Sequence, residues 1–222
     1  SISHISQNNF LLLSSDYMQL SFLRHFKNYL PREGVELKNV SPELSGLHIC
    51  GPNAQDLISN LTDRDMTTEN FSFMSVDNIN IGNNLQVTAC RISFTGECGY
   101  ELYTRTSDQA SLFECLIDEG KKLDIGLVGT RSLMHTRLEK SFMAWGHELS
   151  PDYSPIECEL LKHIDLNKTD FVGKSAIKNN TLVREKYATF TVDAKDNAIW
   201  GDEAIFLDGE PAGYVTSGGW GP

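Results

Sequence analysis

The sequence lacks most of the short signatures that announce a chemistry. It has no Gly-x-Gly-x-x-Gly run opening a helix, no Walker phosphate loop, no His-Glu-x-x-His pair and no Gly-x-Ser-x-Gly elbow. The residues alone therefore offer no dinucleotide cradle, no zinc-hydrolase pair and no hydrolase serine. Five cysteines (Cys50, Cys90, Cys98, Cys115, Cys158) are an odd count with no Cys-x-x-Cys spacing, which argues against a disulfide framework and a zinc site. Reduced thiols in a cytoplasmic compartment are the expectation. The six histidines (His4, His25, His48, His135, His147, His163) include no pair at i,i+4, so each reads as structural or exposed rather than as a metal ligand.

Positive charge is also scarce. Nineteen Lys and Arg face thirty Asp and Glu, for a net charge of −11 and a pI near 4.9. Such a surface repels phosphate backbones and anionic lipid, so neither nucleic acid nor a membrane is expected as a partner. No run of about 18 apolar residues occurs, so no membrane-spanning helix is expected. The N-terminus shows no basic, apolar and small-residue progression of a signal peptide. It begins with Ser1 rather than Met, which reads as a boundary inside a longer chain.

What is present is enough apolar residue, 40% of 222 positions, to bury a core. Residues 9–13 form a short apolar run that predicts a buried strand. Met18, Phe22, Phe26 and Leu30 recur every four residues and predict a helix over 14–30, capped by Ser15 or Asp16 and ended by Pro31. Alternation predicts strands over 35–40 and 44–50. Gly51-Pro52 opens a helix with Pro at a position where its missing N–H does no harm. A hairpin is predicted from Val76–Ile81, the turn Gly82-Asn83-Asn84 and Leu85–Phe94. A second turn, Thr95-Gly96-Glu97, leads into a strand over 99–104, and an amphipathic helix follows over 107–123. Further helices are predicted over 131–145 and 171–179. Hairpins mixed with helices indicate an α+β fold with antiparallel sheet and packed helices.

From Glu185 the texture changes to short strands, over 187–192, 199–207 and 212–216, with a tight Asp208-Gly209 turn. These predict an incomplete small C-terminal β-barrel, because so few strands cannot close one. The expected domains are 1–182 and 183–222. The glycine-rich stretch Ser217-Gly218-Gly219-Trp220-Gly221 does not precede a helix, so it reads as a turn rather than a phosphate cradle.

One strand carries chemistry. Along Gly99–Tyr103, Gly99, Glu101 and Tyr103 share one face and Tyr100 and Leu102 the other. A carboxylate among apolar neighbours needs a partner if it is buried. A planar heterocycle with adjacent N–H donors supplies one, because a carboxylate accepts two parallel hydrogen bonds. Gly99 would then leave room for the ring beside Glu101, and Tyr103 would line it. Alternation alone favours an edge strand with Glu101 in solvent or paired to an arginine.

The stretch from Arg91 to Leu102, RISFTGECGYEL, resembles a signature of the glycine-cleavage T-protein (aminomethyltransferase) family. Further stretches resemble that family in its order: Gly51-Pro52-Asn53-Ala54, Arg137-Leu138-Glu139-Lys140 with Trp145-Gly146-His147-Glu148-Leu149, and Ser154-Pro155-Ile156-Glu157. Asp170-Phe171-Val172-Gly173-Lys174, and Trp200-Gly201-Asp202-Glu203 with Gly213 to Gly219, complete the series. The wording around Trp145 and Trp200 is nearest to the folate domain of the dimethylglycine and sarcosine dehydrogenase branch.

The resemblance implies a tetrahydrofolate site. On its pattern Glu101 matches the glutamate that pairs with the pterin edge, Phe94 an aromatic packed on the folate, and Tyr103 a second pocket aromatic. Arg137 and Glu139 match positions read as structural ion-pair residues, and Trp145 as core or pocket wall. Leu133 stands where the glycine-cleavage enzymes carry an Arg, and Ser14 where many members have Asn.

The family's catalytic Asp is expected upstream of Ser1, so no catalytic residue is assigned to this chain, and it is expected to be inactive alone. The implied activity is transfer of a methyl-derived carbon from an N-methyl amine, or of an aminomethyl group, to folate. A non-catalytic folate-binding regulatory module and a sulfonium demethylase are the alternatives. Implied partners are folate, a small amine, and either a flavin domain, which alone would hold FAD, or a lipoyl carrier protein. Open strand edges at either end predict a homodimer.

Overall fold

The computed structural model describes residues 1–180 and 183–221, so the domain boundary expected at residue 182 lies outside the described residues. The chain forms two compact units, Ser1–Val128 and Gly129–Pro222.

The first unit opens with an antiparallel hairpin of β1 (Ile2–Ser6) and β2 (Asn9–Leu12). The expected strand over 9–13 is there, but it is not buried: Phe10 is 54% and Leu12 39% exposed. A two-stranded ribbon with little packed on it cannot bury its apolar residues. A short 3-10 turn leads into α1 (Gln19–Tyr29). Its Met18–Phe22–Phe26–Leu30 stripe is half-buried. Ser15 precedes the turn without a side-chain cap, and Asp16 accepts the Tyr17 N–H at 2.6 Å. Residues 35–40 form no strand, a departure from their alternation: an alternating segment becomes a strand only where another backbone pairs with it.

The main sheet has the order β3-β6-β5-β4, from β3 (Leu44–Cys50), β4 (Val76–Ile81), β5 (Leu85–Cys90) and β6 (Gly99–Arg105), all antiparallel. α2 (Ala54–Ser59) follows β3, and α3 (Gln109–Gly120) follows β6. Period-two alternation turns Ile79, Ile81, Val87, Ala89, Tyr100 and Leu102 to one face, where they meet Leu57, Ile58, Leu112 and Leu116 of the helices. Tyr100 and Leu102 are fully buried there. Burial and the nearby Cys98 push the Tyr100 phenol up to about 12. At the β4–β5 turn Gly82 and Asn84 both have positive φ, 52° and 67°, the conformation that Gly and Asn adopt most readily. The sheet's other face carries Gly99, Glu101 and Tyr103.

The second unit contains α4 (Thr130–Glu139), α5 (Lys174–Asn179) and a hairpin of β7 (Ala204–Leu207) and β8 (Glu210–Tyr214). α4 stops well short of residue 145. The N–H groups of Ser141 and Phe142 close onto the carbonyls of Leu138 and Arg137, at 2.8 and 3.0 Å, with Ser141 left-handed at φ 57°. That is a helix stop. The strand expected over 187–192 has no ladder partner among the described residues, and Phe190 and Val192 are exposed. The C-terminal strands therefore amount to one hairpin.

Candidate functional site

β6 is an inner strand, with β3 on one side and β5 on the other. Glu101 pairs across to His48 on β3 and to Cys90 on β5. It is half-buried and forms no ion pair with an arginine among the described residues, so the edge-strand alternative does not hold. Its Oε2 accepts the Tyr103 hydroxyl at 2.7 Å. Burial of the Tyr103 ring, with the bond to Glu101 and its charge, holds the phenol well above its ordinary value, so Tyr103 remains a donor. Glu101 also opposes ionisation of Cys90, whose thiol is pushed up chiefly by burial.

Gly99 corrects an expectation. The space a side chain would take there is filled: a Cβ would stand 2.7 Å from Ser93 Cβ and 2.8 Å from the Ile49 carbonyl oxygen. Gly99 leaves no room for a ring; it lets the 91–98 loop close against the strand. That loop is tied by Ser93 Oγ to Thr95 Oγ1 at 2.8 Å and to His48 Nε2 at 3.3 Å. It also carries Phe94, which is half-buried. Arg91 anchors its start, donating to Thr68 Oγ1 at 2.9 Å and to the Phe71 carbonyl.

The structure thus joins Glu101 and Tyr103 directly and adds Gly46, His48 and Cys90, which local sequence did not single out. Only the register of β3 on β6, a pairing of distant segments, brings the first two there. Near Cys90 a cleft of about 230 Å³ opens between Ser3 and His4 of β1 and Val76, Cys90 and Arg91. It is smaller than the roughly 300–1,000 Å³ of a typical ligand pocket, so it can hold only part of a folate-sized ligand.

The other residues that carry the resemblance make structural contacts. Arg137 Nη1 donates to Glu148 Oε2 at 2.8 Å, with both side chains 1% exposed. Glu139, expected in an ion pair, forms none among the described residues; its carboxylate lies where a side chain at Gly221 would sit, 2.6 Å from Oε1. Trp145 is half-buried and bridges to Leu149.

A cavity of about 530 Å³ within the second unit is lined by Asp152, Tyr153, Glu157 and Arg184 among others. Glu157 is committed: it accepts the Ser154 N–H at 2.9 Å, the Ser154 hydroxyl at 2.8 Å and the Arg184 N–H at 3.1 Å. These hydrogen bonds, ahead of the Arg184 charge, lower its carboxyl to about 2. A depressed carboxylate contributes stability above its unfolded value, and that contribution is lost as pH falls through the folded one. Acid denaturation followed by circular dichroism should therefore show a loss between about 4.5 and about 2. Glu157→Gln should flatten the curve across that window, and an unchanged profile would refute the assignment.

Among the described residues no helix is long and apolar enough to cross a membrane. The family model "GCVT N-terminal domain" matches residues 1–168. Human "Dimethylglycine dehydrogenase, mitochondrial" is 35% identical over 224 residues, covering 99% of this chain and 26% of that protein. An "Aminomethyltransferase" of Geobacillus sp. is 33% identical over 190 residues, covering 85% of this chain and 52% of that protein. The chain thus spans about a quarter of the first and half of the second. A heterotetrameric sarcosine oxidase from Corynebacterium sp. U-96, solved with pyrrole 2-carboxylate, superposes with a TM-score of 0.50 at 20% identity, over 58% of this chain and 63% of that one. That likeness is one of fold.

Proposed function

The chain belongs to the GCVT N-terminal domain family, and from that premise we propose that it is the pterin-recognising part of a tetrahydrofolate-dependent one-carbon-transfer protein. The carbon comes from an N-methyl amine of the dimethylglycine or sarcosine type, or from an aminomethyl donor. The observation that carries this reading is the Glu101 carboxylate: half-buried on the outer face of β6, with Oε2 held by Tyr103. The donor set fits the ligand. A pterin edge offers adjacent N–H donors, and a fixed carboxylate accepts two in parallel. Phe94 supplies aromatic surface from the loop beside the strand.

Tetrahydrofolate, when bound, supplies the nitrogens that take up the one-carbon unit. This chain's residues bind and orient it, and the reading assigns none of them a catalytic role. The 222 residues alone are accordingly proposed to bind folate without turnover; folate-dependent consumption of dimethylglycine by them would contradict that. The same reading groups residues 1–182 as the folate region and gives β7 and β8 to a small barrel beginning near residue 183. Unpaired thiols suit a reducing compartment such as the cytoplasm.

Titration calorimetry with tetrahydrofolate tests the core of the proposal. Glu101→Gln offers an N–H where the ligand also presents donors, and should weaken binding by roughly 1–3 kcal/mol, as for a mispaired buried polar group. Equal affinity in the variant and the parent would remove the basis for the reading.

A further inference from the structure

Glu101 and Tyr103 are two residues apart on one strand, so their side chains leave the sheet on the same face. The ring that carries the Tyr103 hydroxyl is itself seated. It lies across Gly46, its direct partner on β3: a Cβ at Gly46 would stand 2.8 Å from Cε1 and 3.1 Å from Cδ1 of that ring. Any larger residue at 46 would push the ring aside.

We propose that Tyr103 is a positioning residue that acts through Glu101: seated on Gly46, it holds one carboxylate oxygen and so presents the carboxylate, already oriented, to a flat ligand with adjacent N–H donors. This rests on the folate reading and deepens it. A carboxylate accepts at about four lone-pair sites, so the bond from Tyr103 leaves capacity for two parallel donors. Without that bond the side chain loses rotamer freedom only on binding, which weakens affinity. His48 on β3 and Cys90 on β5 stand opposite Glu101, and neither is hydrogen-bonded to it among the described residues.

Tetrahydrofolate affinity, measured calorimetrically, tests the role. Tyr103→Phe keeps the ring and removes the donor. It should bind up to roughly tenfold more weakly, the cost of ordering one side chain only on binding. In a Glu101→Ala background Tyr103→Phe should add no further loss, whereas a purely structural tyrosine would cost affinity in both backgrounds. Gly46→Ala keeps the donor and displaces the ring; it should show the same loss, and the double variant should bind no worse than Tyr103→Phe alone. If Gly46→Ala fails to fold, Tyr103→Phe decides by itself. Parent-like affinity in Tyr103→Phe, or an equal further loss in the Glu101→Ala background, overturns the proposal. If Glu101→Gln is weakened while Tyr103→Phe is not, only the positioning role falls. If both bind like the parent, the folate reading falls with it.

Discussion

Glu148→Gln is expected to destabilise the protein by about 3–5 kcal/mol, the loss seen when one partner of a buried ion pair is removed. Glu148 is the hub of the second unit. Its Oε2 takes Arg137 Nη1 at 2.8 Å and the Ala144 N–H at 2.9 Å, and its Oε1 takes the Thr216 hydroxyl at 2.9 Å. Burial alone would raise its carboxyl. The Ala144 N–H, Ser217, the Arg137 charge and Thr216 together outweigh burial, and the net shift is downward. Arg137 also donates to the Phe142 carbonyl at 2.8 Å and to Ser217 Oγ at 2.6 Å, but its Nε is buried with no partner among the described residues. An arginine already short of one hydrogen bond has little to fall back on when its counter-charge goes. Urea denaturation of parent and variant measures the loss. Adding Arg137→Met should recover part of it, because the stranded charge is then gone too. A loss below about 1 kcal/mol, the range of exposed pairs, would mean that the pair is not desolvated.

The second large effect is expected at Gly218. A Cβ there would lie 2.1 Å from the Ile199 carbonyl oxygen and 2.4 Å from its carbon. Both are backbone atoms, and the Gly218 N–H is bonded to the neighbouring Trp200 carbonyl at 3.0 Å, so the segments cannot part without losing that bond. Gly218→Ala should destabilise by about 3 kcal/mol, the upper end for overpacking. Gly209→Ala is not a silent control, because its φ is 88°. Gly213→Ala is, since nothing lies within 4 Å of its Cβ position. Equal melting temperatures for Gly218→Ala and Gly213→Ala would contradict this close approach.

The glycine-rich end illustrates what sequence could show. It is expected to be a turn, but residues 217–221 form neither turn nor helix, and a Cβ at Gly219 would stand 3.0 Å from Cδ2 of His135 on α4. The partner helix, more than seventy residues earlier, was not legible. The same division runs through the fold. β4, β5, β6 and α3 were readable because alternation, turn residues and helical spacing are local. The strands expected over 35–40 and 187–192 failed because a ladder needs a partner, which alternation does not report. At the site, Glu101 and Tyr103 stood out from their shared face and from the resemblance. The Gly46 seat under Tyr103 came only with the β3–β6 register, and the expected space at Gly99 proved to be occupied by Ser93.

β6 is crowded with obligations. Gly99 admits Ser93, Tyr100 and Leu102 are core, Glu101 faces the proposed ligand, Tyr103 holds Glu101, and Thr104 donates to the Gln86 carbonyl at 3.0 Å. A slip of one position would exchange its two faces and lose site and core together. Few substitutions along such a strand would spare both duties. New ligand preferences would more readily arise beside it, on β3 and the 91–98 loop, where a substitution need not answer to core and site at once.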